Sequence, residues 1–145
     1  MSILVDPQLR EWETTVPKGT RDDIIWTFHT YRAALFLLHL ARDDMRRARA
    51  GPGWRTIADQ LLRAVASISA NIGEGYGRST PADRARCYDI ALGSLRESAS
   101  WYDAARLHLA PDVVDHRTDQ LAELRRMLYG AIRSLRRSPP GSRIT

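Results

Sequence analysis

The segment from Gln60 to Gly73 most constrains the fold, because it has helical spacing and almost no charge. Its apolar positions recur at steps of three and four residues, the period of an α-helix. Arg63 is its only formal charge, and its other side carries Ala, Ser and Gly. A helix without a charged face is buried on more than one side. The segment predicts a helix deep in a bundle or in contact with another subunit; its apolar stripe is Ile57, Leu61, Val65, Ile68 and Ile72.

Helical spacing continues along the chain, and no strand-like alternation persists. We predict four helices, at 21–50, 54–73, 81–109 and 112–137. Their links are short, so neighbouring helices are expected to be antiparallel. The predicted fold is therefore all-α: an up-down-up-down antiparallel four-helix bundle at 21–138, with an N-terminal extension at 1–20 and a frayed tail at 139–145.

Local signals support these bounds. Thr80 is a good N-cap for the third helix, and Pro81 suits its first position. Thr20 is expected to cap the first helix in the same way. The predicted core stripe of that first helix consists of Ile24, Phe28, Tyr31, Leu35, Leu38 and Met45.

Composition excludes several protein classes. A disulfide scaffold is excluded because Cys87 is the only cysteine. The longest strongly apolar run, 33–38, is far shorter than the ~18 residues of a membrane span. Residues 1–5 are apolar but lack a basic leader, so we do not expect a signal peptide. A reducing, cytoplasmic setting is the simplest expectation.

The chain is basic, with a formal net charge of +5. All of its 22 basic residues except Lys18 are arginine. Guanidinium groups bind phosphate in bidentate fashion and stack on bases. This basicity therefore suits a nucleic-acid partner.

Six arginines are expected to gather at one end of the bundle. In an antiparallel bundle, the last helix ends beside the link between the second and third helices. No acidic residue follows Glu123, whereas arginines do. Such a cluster is an electrostatic footprint for phosphate; the alternative is a solvated helix end. The candidate nucleic-acid-binding residues are Arg78, Arg84, Arg86, Arg133, Arg136 and Arg137.

No catalytic or metal constellation can be identified. A di-iron bundle needs Glu-x-x-His pairs on two helices, and no His follows a Glu by three residues. Cys87 has no recognisable catalytic partner. We therefore predict no enzyme activity, no metal and no cofactor. The four histidines also lack ligand spacing; they are His29, His39, His108 and His116.

Four polar residues interrupt apolar surroundings: Asn71, Glu74, Ser94 and Glu97. Buried carboxylates need partners, because desolvating one alone costs several kcal/mol. We interpret the four as a polar network that fixes helix register and closes the turn after the second helix. Direct ligand binding is the alternative.

Two stretches resemble the family of four-helix bundles named for the 23S rRNA intervening-sequence protein. The first runs from Gln60 to Ser79 and contains Ser-Ile, Asn-Ile, Glu-Gly and Arg-Ser pairs. The second, from Tyr88 to Glu97, is similar to the family's Ala-x-Gly-Ser-x-x-Glu helix. Carried over by motif, the marked positions are Asn71, Glu74, Gly75, Arg78, Gly93, Ser94 and Glu97. Apart from Arg78, we interpret them as architectural.

The resemblance implies properties that composition does not. Family members are bacterial homopentamers with a basic surface, encoded within insertions in 23S rRNA genes, and no catalytic activity is attached to them. A distant branch serves diversity-generating retroelements, where it binds nucleic acid and the reverse transcriptase. We expect an oligomeric protein that binds RNA. The alternative is a protein-interaction scaffold or accessory factor for a reverse transcriptase.

Overall fold

The computed structural model describes residues 1–144, and all regular secondary structure in that range is helical. Short 3₁₀ turns at Ile3–Val5, Ile24–Thr27 and Ala105–Leu107 accompany the α-helices. None of the helices in this range is long and apolar enough to cross a membrane. The α-helices are α1 (Pro7–Thr15), α2 (Lys18–Arg21), α3 (His29–Arg47), α4 (Trp54–Tyr76), α5 (Pro81–Ala104) and α6 (Pro111–Arg136).

The four long helices, α3 to α6, enclose the core. The most extensive packing joins α4 to α5, and α5 also packs on α6. Helix α3 contacts both α4 and α6. Each long helix contributes fully buried side chains, among them Phe36, Ile68, Leu95 and Leu128.

The residues that precede α4 and α5 explain where these two helices begin. Gly53 precedes α4 with φ +77°, a left-handed conformation that glycine adopts without steric cost. At α5, the Thr80 side chain accepts a hydrogen bond from the Asp83 N–H, and Pro81 occupies the first turn. The predicted cap of this helix is therefore correct.

The single helix predicted at 21–50 is wrong in its first part. Asp23 accepts a hydrogen bond from the Ile25 N–H and begins a 3₁₀ turn, and Phe28 is extended at φ −83°, ψ 102°. Helix α3 consequently starts at His29 rather than at 21. Local capping by a carboxylate outcompetes helical periodicity here.

The predicted core stripe of this region is correct only in part, because Phe28, Tyr31, Leu38 and Met45 are half-buried and pack against the core. Ile24 is 70% exposed, whereas its neighbour Ile25 is buried. The stripe from Leu35 to Met45 lies at the edge of the core and lines an open groove of about 640 Å³ together with Trp12. The buried face of α3 is instead formed by Ala33, Ala34, Phe36, Leu37, Leu40, Ala41 and Asp44.

The first residues pack onto the helices. Ile3 is fully buried, and Leu9 on α1 is 4% exposed. On α6, the Glu123 carboxylate accepts hydrogen bonds from the Ser2 hydroxyl and from the Ile3 N–H, the latter at 2.8 Å. Asp6 further accepts a hydrogen bond of 3.3 Å from Gln120. Polar contacts thus fasten this segment to α6.

The end of the chain returns to the link between α4 and α5. The Ile144 N–H donates to the Ser79 carbonyl at 2.8 Å. Thr145, the last residue of the predicted tail, lies outside the described residues.

Candidate nucleic-acid interface

The C-terminal turns of α6 lie beside the start of α5. Nη2 of Arg136 is 2.5 Å from Oδ2 of Asp89. Arg86 and Arg136 line a shared groove of about 500 Å³, which Pro139 and Pro140 border on the other side. Arginines from the two helices therefore meet at one end of the molecule. We call the six predicted residues the arginine cluster: Arg78, Arg84, Arg86, Arg133, Arg136 and Arg137.

Three members of the cluster are occupied by internal partners. Arg78 forms an ion pair with Glu74, one helical turn earlier, and this hydrogen bond raises the pKa of the guanidinium. Arg84 donates to the Tyr76 carbonyl at 2.5 Å. Arg136 pairs with Asp89. Arg84 therefore braces the end of α4, and the charges of Arg78 and Arg136 are partly neutralised.

The other three members are exposed and have no ion pair or side-chain hydrogen bond within residues 1–144: Arg86, Arg133 and Arg137. Arg133 lies on the last turn of α6, and Arg137, four residues later, is its C-cap residue in a helical conformation, so the two share one face of the helix. Their side chains are free to contact phosphate oxygens in bidentate fashion.

A small polar network joins α4 to α5. The Asn71 amide donates to the Ser67 carbonyl at 2.8 Å and to the Ser67 hydroxyl at 3.0 Å. The Ser67 hydroxyl lies 2.8 Å from that of Ser94. Asn71 and Ser94 are thus linked through Ser67, and their role in fixing helix register stays a prediction.

Gly75 has a steric role at the same contact. A Cβ atom at this position would lie 2.8 Å from Cys87 Cβ and 2.8 Å from Cε1 of Tyr88. Such distances are shorter than ordinary van der Waals contact. Only glycine lets the last turn of α4 approach α5 this closely.

The remaining motif positions face outward. Gly93 is exposed, and a Cβ atom there would meet nothing within 4 Å. Glu97 is exposed and accepts a hydrogen bond of 3.3 Å from the indole of Trp101. The Glu74 side chain is 55% exposed. The expected burial of these two carboxylates is therefore wrong, because solvent and local i,i+4 partners satisfy them.

No group of three or more His, Cys, Asp or Glu side chains within the described part of the chain is placed to hold a metal ion. Cys87 is buried against α4. His108 is the histidine with the clearest structural contact: its Nδ1 lies 2.8 Å from the Arg49 carbonyl, and its ring packs on Trp54.

Sequence reasoning missed the aromatic residues beside the arginines. Phe28 stacks on both Tyr76 and Tyr88, with ring centroids 5.9 Å apart in each case. The guanidinium carbon of Arg84 lies 4.7 Å from the centroid of Tyr76. The available signal was the position of Tyr76, two residues before Arg78 and between two glycines.

The chain is similar in fold to a solved structure and in sequence to a family model. A structure described as a protein with unknown function from the S23 ribosomal protein family of Bacteroides thetaiotaomicron is similar in fold, with a TM-score of 0.61 and 18% sequence identity. The match covers 71% of this chain and 97% of that one. No curated protein sequence matches the chain.

The family model of the 23S rRNA-intervening sequence protein matches residues 54–130. This range takes in α4, α5 and most of α6, with the Asn71–Ser94 network and Gly75. It ends before Arg133. The match spans more than half of the chain, and the helical fold agrees with it, so the chain belongs to the 23S rRNA-intervening sequence protein family.

Proposed function

We propose that this protein is a non-enzymatic, cytoplasmic, homo-oligomeric helical bundle that binds RNA through its arginine cluster. The observation that carries the proposal is three exposed guanidinium groups that have no ion pair within residues 1–144: Arg86, Arg133 and Arg137. Arg86 shares a groove with Arg136, and Arg133 and Arg137 flank Arg136 at the end of α6. The family name, which refers to 23S rRNA, favours RNA over DNA.

The charge around these arginines supports a polyanionic ligand. No acidic residue follows Glu123, so the second half of α6 carries positive charge alone. Two carboxylates pair with members of the cluster, Glu74 with Arg78 and Asp89 with Arg136. Asp83, in the first turn of α5, accepts a hydrogen bond from the Thr80 hydroxyl. Arginine contacts bind the phosphate backbone and supply affinity with little sequence selectivity.

The proposed architecture is an up-down-up-down four-helix bundle at 21–138, preceded by an extension at 1–20 and followed by a tail at 139–145. The packing of α4 on α5 and of α5 on α6 supports it, as does the contact of α3 with both α4 and α6. The ion pair of Arg136 with Asp89 joins the end of one helix to the beginning of its neighbour, as antiparallel packing requires.

The proposed assembly is a homo-oligomer, and the family resemblance implies a pentamer. Gly93 supports this: nothing within its own chain requires a glycine there. Ile90, one turn earlier on α5, is 48% exposed. An apolar side chain beside a glycine offers a second copy a place for close helix contact. Oligomerisation also repeats the arginine cluster and strengthens binding to a long polyanion.

The direct test is RNA binding over a salt series. We expect the wild type to bind structured RNA, with affinity falling steeply as salt rises. The triple variant R86A/R133A/R137A should bind weakly and lower the slope of log affinity against log salt by about 2 to 3. A charge-matched control is R10A/R55A/R63A, since these arginines are exposed and lie outside the cluster.

Absence of binding at low salt, or equal losses in the two triple variants, would contradict the proposal. The alternative function, a scaffold for a reverse transcriptase, predicts a different result. Association with such an enzyme would then survive nuclease treatment and be unchanged in R86A/R133A/R137A.

A further inference from the structure

A slot lined by three aromatic rings opens beside the arginine cluster. Phe28 precedes α3, Tyr76 ends α4, and Tyr88 lies near the start of α5. The slot has a volume of about 220 Å³, below the ~300 Å³ at which pockets for drug-sized ligands begin. It therefore suits one flat ring rather than a whole cofactor. The last turns of α6 complete its wall with Ala131, Ser134 and Leu135.

The rings present a stacking surface with a positive charge on it. Phe28 is inclined by 28° to Tyr76 and by 25° to Tyr88, so its ring stacks on each of the two tyrosines. The Arg84 guanidinium covers Tyr76 at 4.7 Å. Aromatic side chains accompanied by arginine are the platform on which unpaired nucleic-acid bases stack.

Two polar groups at the slot lack partners within residues 1–144. The Tyr88 side chain is 2% exposed, and no hydrogen bond to its hydroxyl accompanies the burial that raises its pKa to about 12. The hydroxyl therefore stays protonated and able to donate. Nε of Arg84 is buried and also has no acceptor. Of the two, Arg84 Nε is the fully buried atom, and an unpaired buried polar atom is rare in native proteins and needs an explanation.

The charge around the slot favours a nucleic acid over a protein side chain as its occupant. Ser134 and Leu135 in its wall lie between Arg133 and Arg137, which are exposed and have no ion pair among residues 1–144. Arg78 follows Tyr76 by two residues. Phosphates on either side of an inserted base would reach these guanidinium groups. An uncharged aromatic side chain of a partner protein would leave them without counter-charges.

We propose that this slot binds one unpaired base of an RNA strand, stacked against Phe28 and Tyr76, with the Tyr88 hydroxyl donating to an oxygen or ring nitrogen of the base. The inference rests on the proposed RNA binding and deepens it. The preferred RNA would carry a bulged or looped-out base within reach of the arginine cluster.

The test compares two short RNA duplexes, one with a bulged 2-aminopurine and one with an abasic residue at the same bulge. The wild type should bind the first more tightly, by roughly 5- to 150-fold, and quench the 2-aminopurine fluorescence. Tyr76→Leu should remove both the preference and the quenching, whereas Tyr76→Phe should keep them. Ser134→Trp, at an exposed position on the rim, should block the slot without disturbing the core.

The outcomes separate this proposal from the proposed function. If neither duplex binds at low salt, both are wrong. If both bind equally and the fluorescence is unchanged, RNA binding stands and the base slot is wrong. If Tyr76→Leu and Ser134→Trp both keep the wild-type preference, the slot serves another occupant, such as an aromatic side chain of a partner protein, and the proposal fails. Thermal unfolding of each variant verifies folding, and Ser134→Trp decides the matter if Tyr76→Leu is unstable.

Discussion

Asp44 on α3 and Arg117 on α6 form a two-point ion pair, with Asp44 Oδ2 2.8 Å from Arg117 Nε and Asp44 Oδ1 3.0 Å from Nη2. Their side chains are only 5% and 11% exposed. The Tyr102 hydroxyl on α5 donates to Asp44 at 2.8 Å. Burial and the neighbouring carboxylate raise the pKa of Tyr102, so this hydroxyl stays protonated. Three helices thus share one charged contact.

Removing the carboxylate should destabilise the fold strongly. Asp44→Ala leaves the Arg117 charge buried without a partner, which costs about 3 to 5 kcal/mol. Asp43→Ala is the matched control: Asp43 pairs with Arg46 and Arg47 at the surface, and such pairs contribute about 0 to 1 kcal/mol. Urea unfolding measures both. Equal losses in the two variants would contradict the structural role of the pair.

A methyl group at Gly75 should also destabilise the protein. In Gly75→Ala, the new Cβ would meet Cys87 and Tyr88 at 2.8 Å, and overpacking of this kind costs about 1 to 3 kcal/mol. Gly73→Ala is the control, since its Cβ would lie 3.5 Å from Tyr31, an ordinary contact. That variant should gain up to about 1 kcal/mol from helix propensity. A neutral Gly75→Ala in urea unfolding would contradict the close approach of α4 and α5.

The starts of the helices from α4 onward could be predicted from the sequence because local and periodic signals agree there. The predicted end of the second helix at 73 is wrong, because α4 continues to Tyr76. Thr80 and Pro81 mark a helix start where the apolar period also begins. Before α3 the two signals conflict. Periodicity runs through Ile24, but the Asp23 carboxylate can satisfy the Ile25 N–H and begin a different turn. The choice between the helix and the 3₁₀ turn does not depend on local sequence alone, because burial of Ile25 in the core also favours the turn.

For the candidate site, the sequence predicts the end of the bundle at which the arginine cluster lies, but not the partners of all its members. The end of α6 lies beside the start of α5, as short links between the helices predict, and the Glu74–Arg78 pair follows from its i,i+4 spacing. The partners of Arg136 and Arg84 could not be predicted. Asp89 is 47 residues from Arg136, and the acceptor of Arg84 is a backbone carbonyl. Such contacts depend on helix register, which the sequence pattern defines only to within a turn.

The proposed oligomer predicts that Gly93 lies at a subunit contact. Gly93→Leu should reduce the number of subunits measured by light scattering, because a large side chain would separate the two helices. Gly130→Leu is the matched control: a Cβ there also meets nothing within 4 Å of its own chain, yet it lies on α6. If both variants keep the wild-type mass, the face around Gly93 is not an interface.

Tyr88 should make the fold sensitive to alkali. Its pKa is raised from 10.0 to about 12, chiefly by burial. The unfolded chain therefore loses this proton at a lower pH than the folded one, and stability is complete below pH 10 and decreases as the pH rises toward 12. In urea unfolding over this pH range, Tyr88→Phe should decline less steeply than the wild type. Parallel declines would show that Tyr88 titrates normally.

Glu123 should control the docking of the first residues. Glu123→Ala removes the acceptor of the Ser2 hydroxyl and of the Ile3 N–H, and hydrogen bonds to charged groups contribute about 1.5 to 3 kcal/mol. Local opening should then become more frequent, and trypsin should cut after the exposed Arg10 about tenfold faster or more. Asp119→Ala is the control, because Asp119 lies on the same helix as Glu123, is exposed, and its carboxylate has no partner within residues 1–144. Unchanged cleavage in Glu123→Ala would mean that burial of Ile3 alone holds the segment, since that side chain is fully enclosed without any help from the carboxylate.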